Sequence, residues 1–385
     1  MGNLRLDCAG SATVAPAPIH RFYGTSAWIL GDAEVQLNKL AQLEAVHQIA
    51  AFPDLHPGPV GVAILSDRVH PHMIGNDIGC GMTVFRTSLS AHKLKPQKLA
   101  DRLRALQDYT DPVEGQAHLR SAGLPDDLAV TAIGTIGGGN HFCEVQILAE
   151  TQDVELAAKA GVAKGDVLLF VHSGSRSFGA SIFADYAEVG SEGLAAEDER
   201  TTAYLKLHDL AVRWASLNRQ MIAERAAAAL RCDVELVVDS SHNLIERYGD
   251  GFLHRKGAAK ADVDLVPLAG SRDAKSYLLK PTGNKREALA SLAHGAGRKY
   301  DRASMHGRIA KQKSVRNALS RTSYGGRVVC EDKQLLVEEA PQAYKNSEDV
   351  LAQLVEAELA TCVGVMTPVV TFKTARGAEE RRSKR

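Results

Sequence analysis

At 385 residues the chain is longer than most single domains, yet no polar or Pro/Ser-rich tract divides it, so one large domain or two tightly fused ones are expected. Acidic and basic side chains balance at 46 each, which excludes a molecule-wide basic field and leaves nucleic-acid contacts to local clusters. A hydrophobic fraction of 45% suits a globular protein, and no apolar run approaches the roughly 18 residues of a membrane span.

The first residues, MGNLRLDCAGSATVAPAP, lack the continuous apolar core of a secretory signal. Cys8, Cys80, Cys143, Cys232, Cys330 and Cys362 are scattered with no C-x-x-C, as in a reducing compartment. A cytoplasmic protein without disulfides or membrane association is the expectation. From Glu34 to Ala51, apolar Leu37, Leu40, Leu43, Val46 and Ile49 recur every third position, which predicts an amphipathic helix. A second helix is predicted from Pro96 to Leu106. The Gly- and Pro-free stretch Thr201 to Leu230 predicts the longest one. A shorter helix is predicted from Asn346 to Ala360.

Apolar, β-branched runs predict strands at Val167 to Val171, Val234 to Val238, and Val363 to Phe372 with an interruption at Pro368. The first two run into HSGSR and SSHN, each placing a histidine near the strand's carboxyl end, where a sheet holds loops for ligands. Long helices and separated strands without a βαβ rhythm give an α+β class. The final residues, 376–385, read as a basic and disordered tail after a domain spanning 1–375.

Chemistry concentrates around the histidines. His141, His172, His242, His254 and His294 sit in segments dense in Gly, Ser, Asn or basic residues. Glycine costs backbone entropy, so such loops need a special dihedral or a close approach to justify them. In GNDIGCGM, glycines on both sides of Asp77 and Cys80 force a tight turn that could aim carboxylate and thiolate at one point. Taken alone, Cys80 reads as a small buried residue and each histidine as a hydrogen-bonded turn residue. Together they compose a donor set for a divalent transition metal. The chain has no G-x-x-x-x-G-K-[ST], no G-x-G-x-x-G, no H-E-x-x-H and no Lys-x-Asp-Gly, so a bound nucleotide must rest on backbone N–H groups of the Gly-rich loops. KREALASLA before His294 reads as a helix, which leaves that histidine open between a helix-end residue and a reactive one.

In order along the chain, PDLHPG, GNDIGCGM, IGGGNHFCEV, HSGSR, LNRQ, SHN, HRKGA, HGAGR and EEAPQAYK resemble the blocks of the RtcB family of RNA ligases. The resemblance implies a site for two Mn²⁺ ions made by Asp77, Cys80, His141, His172 and His242, with the Cys80 thiolate bridging. It implies that His294 attacks GTP to give a histidine-linked guanylate. That guanylate then activates an RNA 3′-phosphate for joining to a 5′-hydroxyl, a 2′,3′-cyclic phosphate being opened first. Guanylate contacts carry over to Asn140, Glu144, Asn243, Ser276, Tyr344 and Lys373, with Ala269, Gly270, Ser271, Arg272, Gly295, Ala296 and Gly297 close by. RNA and phosphate contacts carry over to Arg176, Lys256, Arg298 and Arg302.

Two departures stand out: the segment after PDLHPG is short and lacks the family's lysine, and the serine-rich turn appears as GSRDAKSY. With the wording of the first two blocks, they resemble the branch associated with a release-factor-like partner, the ribosome and RNA repair. The rival readings are a manganese-dependent cyclic phosphodiesterase without ligation and a non-catalytic RNA- or ribosome-binding protein.

Overall fold

A computed structural model describes residues 15–107, 110–283, 286–310 and 312–375; the expected basic tail lies outside the described residues. The fold is α+β, as its segregated pattern predicts. Its larger sheet runs, strand by neighbouring strand, through Val266–Leu268, Ser276–Pro281, Ala360–Thr374, Phe142–Thr151, Asp166–Ser173, Gly81–Ser90 and Val234–Ser241, while Arg327–Cys330 pairs beside Ala360–Thr374. A second sheet orders Ile19–Arg21, Val46–His56, Val60–Ser66, Gly251–Lys256 and Asn243–Tyr248. The chain steps from the first sheet to the second at His242, the single residue between Ser241 and Asn243. Ala258–Lys260 and Ser291–Ala293 make a small ribbon that ends just before His294.

The run VLLFV is apolar throughout because both faces of its strand are covered. Val167, Leu169 and Val171 pack against Ile222, Ala223, Ala226 and Leu230 of the long helix Glu199–Leu230. Leu168 and Phe170 point the other way, into a cluster with Met82, Phe142, Leu278 and Met366. The helix begins where the side chain of Asp198 accepts from the Arg200 amide at 2.8 Å and ends at Arg231, whose φ of 60° is left-handed. Among the described residues, no helix is long and apolar enough to cross a membrane.

The helices predicted at 96–106 and 346–360 are present as Pro96–Leu103, extended by a 3₁₀ turn, and Ser347–Glu356. The helix predicted from Glu34 to Ala51 stops at Leu40, and Val46–His56 is a strand. The three-residue spacing of Leu43, Val46 and Ile49 mimicked helical periodicity. Pairing with Val60–Ser66 and burial of Ala50, Ala51, Phe52 and Leu55 favour the extended form. Pro368 does not interrupt its strand; the register slips between Pro368 and Val370, so a bulge absorbs the missing amide. The helix read in KREALASLA is also absent over its described part: Arg286–Ala288 is one 3₁₀ turn, Leu289 and Ala290 adopt φ of 52° and 45°, and Ser291–Ala293 is a strand. His294 therefore follows a strand and caps no helix.

Candidate active site

Sheet register brings the expected metal ligands to one edge. Phe142 lies opposite His172, and Gly81 lies opposite both Ser173 and Ser241. In these antiparallel pairs two strands start and two end at the same edge, so His141, Cys80, His172 and His242 become neighbours across it. Asp77 arrives with Cys80 from the GNDIGCGM turn. A Cβ at Gly174 would stand 2.1 Å from the Asp77 carboxylate, so glycine there clears the space this side chain fills.

Cys80 Sγ is 3.4 Å from His141 Nε2 and 3.2 Å from His172 Nε2. His141 Nε2 is 2.9 Å from Asp77 Oδ2, and His172 Nε2 is 3.3 Å from His242 Nε2. These atoms compose two trios, Asp77–Cys80–His141 and Cys80–His172–His242, each within 4.8 Å, and Cys80 belongs to both. Such a convergence of lone pairs suits divalent cations. His141 Nδ1 lies 3.0 Å from the Ile136 carbonyl, which leaves the Nε2 lone pair facing the cluster. Burial holds His172 and His242 well below the ordinary imidazole range, in the neutral form a metal needs. Burial also pushes the Cys80 thiol far up, and only a cation beside the sulfur would reverse that.

The long helix braces this edge through the LNRQ block. The fully buried Arg219 donates to both Asp239 oxygens at 2.7 and 2.9 Å and to the carbonyls of Gly79 and Ser173 at 2.8 and 3.1 Å. Asn218 Nδ2 donates to Ser173 Oγ at 3.0 Å.

His294 stands against the centre, its ring centroid 4.3 Å from that of His242. Its Nδ1 lies 2.8 Å from Oδ2 of the fully buried Asp54 and 2.7 Å from the Gly257 carbonyl. Two acceptors at Nδ1 place the proton there and leave the Nε2 lone pair for attack. Asp54 is in turn confined: a Cβ at Gly297 would meet its carbonyl oxygen at 2.1 Å, and Lys345 Nζ donates to the flanking carbonyls of Pro53 and Leu55 at 2.8 and 2.7 Å. Asp54→Asn should therefore favour the wrong tautomer and lower the rate of covalent adduct formation on the order of 100-fold or more. Single-turnover kinetics checks this, and an unchanged rate would remove Asp54 from the site's chemistry.

Metal trios and His294 line one cleft of about 1920 Å³, together with all the expected nucleotide and RNA residues except Ser276. Ser276 lies just beneath, its Oγ accepting from the Gly270 amide at 3.0 Å and from Gln146 Nε2 at 3.3 Å. Glu144 is buried, accepts from Thr371 Oγ1 and Gln146 Nε2 at 2.6 Å each, and has its pKa raised by burial. Asn243 is a brace: it donates to the Asp77 carbonyl at 3.3 Å and accepts the Gly257 amide at 2.8 Å. Lys373 Nζ donates to the His141 carbonyl at 3.0 Å, and Lys256 Nζ donates to the Gly58 carbonyl, on the short turn after PDLHPG.

The arginines of the cleft divide by commitment. Arg272 is spent on the carbonyls of Glu339 and Leu336 at 2.8 and 3.0 Å, and so ties the GSRD turn to its neighbour. Arg298 donates to Tyr300 O, Glu338 O and Glu339 Oε1. Arg302 touches Glu339 Oε1 through Nε at 3.2 Å, and its side chain is 49% exposed. Arg176 and Arg302 both lie against the IGGGN loop, since a Cβ at Gly137 or Gly139 would sit 2.1 or 3.0 Å from their guanidinium nitrogens.

Glu339 was not singled out by sequence, yet its carboxylate gathers Arg298, Arg302 and the Tyr344 hydroxyl. Burial alone would raise its pKa, but Lys373, Arg298 and those hydrogen bonds hold it down to about 2. Asp54 was likewise passed over, although both residues lie within the quoted blocks PDLHPG and EEAPQAYK. The histidine partner of Asp54 is 240 positions away and the arginine partners of Glu339 are 41 and 37 away, so spacing carried no signal.

The family model described as tRNA-splicing ligase RtcB matches residues 36–111 and 126–374. The chain belongs to the RtcB family. It is 42% identical over 359 residues to the RNA-splicing ligase RtcB2 of Escherichia coli, an alignment covering 91% of this chain and 94% of that one. It is 26% identical over 437 residues to the tRNA-splicing ligase RtcB of Thermococcus kodakarensis, covering 88% and 90%. The corresponding protein of Archaeoglobus fulgidus is 28% identical over 447 residues, covering 89% and 91%. The RtcB-family match runs through both metal trios, His294 and Glu339.

Proposed function

We propose that the chain is an RNA ligase that joins RNA ends bearing a 3′-phosphate or 2′,3′-cyclic phosphate to 5′-hydroxyl ends, using GTP and two Mn²⁺ ions. The observation that carries this reading is the sharing of Cys80 by two ligand trios beside a histidine with Nδ1 fixed and Nε2 open. Asp77, Cys80 and His141 would hold one ion and Cys80, His172 and His242 the other. The ions would supply charge neutralisation on the phosphates.

His294 Nε2 forms a bond to the α-phosphorus of GTP as pyrophosphate leaves, and the Asp54 carboxylate stabilises the cationic ring. An oxygen of the RNA 3′-phosphate then takes the guanylate from His294, and the 5′-hydroxyl attacks the activated RNA phosphorus as GMP leaves. Cyclic ends must first be opened by water. Arg302 and Arg176, which line the cleft at the Gly-rich loop, would meet the RNA phosphates. An oriented histidine with Nε2 open beside the ligand trios suits covalent capture of a guanylate, a step that a plain phosphodiesterase does not take.

Glu144, with Lys373 and Tyr344 in the same cleft, is the candidate reader of guanine. A carboxylate accepts from the N1 and N2 donors of guanine, which adenine does not present. Glu144→Gln should reduce preference for GTP over ATP on the order of 100-fold, read as the ratio of adduct-forming rates. An unchanged ratio would place base reading elsewhere in the cleft.

The wording of PDLHPG and GNDIGCGM and the GSRDAKSY turn carry the further reading, a place in the branch with a release-factor-like partner and a role in RNA repair. The same reading treats residues 1–375 as one catalytic domain working in the cytoplasm. A direct test supplies a 3′-phosphate RNA and a 5′-hydroxyl RNA with GTP and Mn²⁺. Joined product supports the proposal; end opening without joining supports the phosphodiesterase.

A further inference from the structure

Guanylate, metals and phosphates do not explain the outer mouth of the cleft. Trp28, Lys299, Tyr300 and Arg308 line it. Trp28 precedes the portion matched by the family model and is 48% exposed, whereas the only other tryptophan, Trp214, is fully buried. The Trp28 and Tyr300 rings meet edge-on, with centroids 6.1 Å apart and planes at 73°. Lys299 Nζ lies 4.1 Å from the Trp28 centroid, and Arg308 Cζ lies 3.7 Å from that of Tyr300. The platform is fixed from below: the amides of Lys299 and Tyr300 both donate to the Ala343 carbonyl, at 2.7 and 3.2 Å.

An indole ring offers a large flat face with an apolar body and a polar edge, suited to contact where it stands open beside a site. An indole with a cation on one face and solvent beside it is suited to stacking an unpaired base, whose phosphates the adjacent cations can meet. Asp32 and Asp301 line the same stretch, so charge alone would not hold a nucleic acid here. Stacking must supply the contact, and a base in a duplex could not offer its face.

We infer that Trp28, backed by Tyr300 and flanked by Lys299 and Arg308, is a stacking subsite for an unpaired RNA base as the strand enters the cleft toward His294. The inference rests on the RNA-joining reading for the nature of the strand. It adds a requirement that the metal centre does not impose: a single-stranded nucleotide near the end being joined.

The test uses the full chain and a short single-stranded RNA phosphorylated at both ends, which cannot be joined, with no GTP present. Tryptophan emission should be quenched on binding, and the quench should vanish in Trp28→Phe, whose remaining indole is the buried Trp214. Affinity should fall roughly 10- to 100-fold in Trp28→Ala and be largely kept in Trp28→Phe. Placing an abasic nucleotide along the RNA should reproduce the loss at one position only, in the wild type but not in Trp28→Ala. The unchanged Trp214 emission of Trp28→Ala shows that the core is intact. Equal RNA affinity of wild type and Trp28→Ala overturns the subsite, as does indifference to abasic positions. Because binding is read without GTP, the two readings fail separately. A wild type that forms a GMP adduct yet shows no Trp28 dependence overturns only the subsite. A wild type that binds RNA through Trp28 yet forms no adduct overturns only the ligase reading.

Discussion

His294→Ala loses the GMP adduct and all sealing of ordinary 3′-phosphate ends, while its Mn²⁺ affinity stays close to that of the wild type. His294 belongs to neither ligand trio, and its tie to the protein runs through Asp54 and Gly257, so removing the ring leaves the donor set in place. The loss should exceed 1000-fold, since a missing nucleophile is not replaced by His141, His172 or His242, which are buried within the proposed ligand trios. A further consequence separates its role from the centre's. An RNA supplied with guanylate already on its 3′-phosphate carries its leaving group, so the variant should still join it to a 5′-hydroxyl partner. Gel assays of the two substrates side by side check this. Near wild-type sealing of the ordinary substrate would show that His294 is a structural residue of the strand end, and failure on both substrates would give it a role in the joining step.

Cys80→Ser acts the other way: adduct formation, end opening and joining of the preactivated RNA all fail together. Cys80 is the one side chain common to both trios, so its replacement damages two sites at once. A serine hydroxyl is not deprotonated at neutral pH as a metal-bound thiol is, and it is a shorter and harder ligand. Alterations outside the ligand shell of metal sites already cost about 10- to 100-fold in affinity, and a shared ligand should cost at least the upper figure. The variant should fold, because Ser fits the volume and the turn is braced by Arg219 and Gly79 rather than by the sulfur. Titration of Mn²⁺ by electron paramagnetic resonance, with circular dichroism as a control for folding, measures it. Two ions bound at wild-type affinity would show that Cys80 does not bridge.

Much of the site was legible in the sequence because its residues sit in short, Gly-rich blocks whose composition is costly without a purpose. GNDIGCGM, HSGSR and SHN each signalled side chains held at a strand end, and sheet register then explains how blocks 60 to 160 positions apart meet. The residues that hold others were much less legible. Asp54 orients His294 across 240 positions, and nothing in PDLHPG distinguishes it from a turn aspartate. Glu339 and Arg219 are similar: a buried charge declares itself only when its partners are seen. Arg272 shows the converse, a basic residue expected beside the guanylate whose guanidinium is consumed by two carbonyls.

The fold was legible where one physical signal dominated. Thr201 to Leu230 had length, helix-forming composition and no breaker, and it is helical throughout. Residues 46–51 and Ser291–Ala293 were misread because the spacing of apolar residues in so short a window fits helix and strand alike. Their partners Val60–Ser66 and Ala258–Lys260 decide the outcome through pairing that no local window contains.

Whether His294 carries the guanylate is read by mass mapping of the protein after incubation with GTP and Mn²⁺. The purified chain is incubated without RNA, digested under conditions that preserve phosphoramidates, and its peptides searched for an added GMP. One modified peptide is expected, with the GMP on His294, formed from GTP, slowed in Asp54→Asn and lost in Cys80→Ser. A GMP on any other residue, or efficient RNA sealing with no modified histidine, would contradict it.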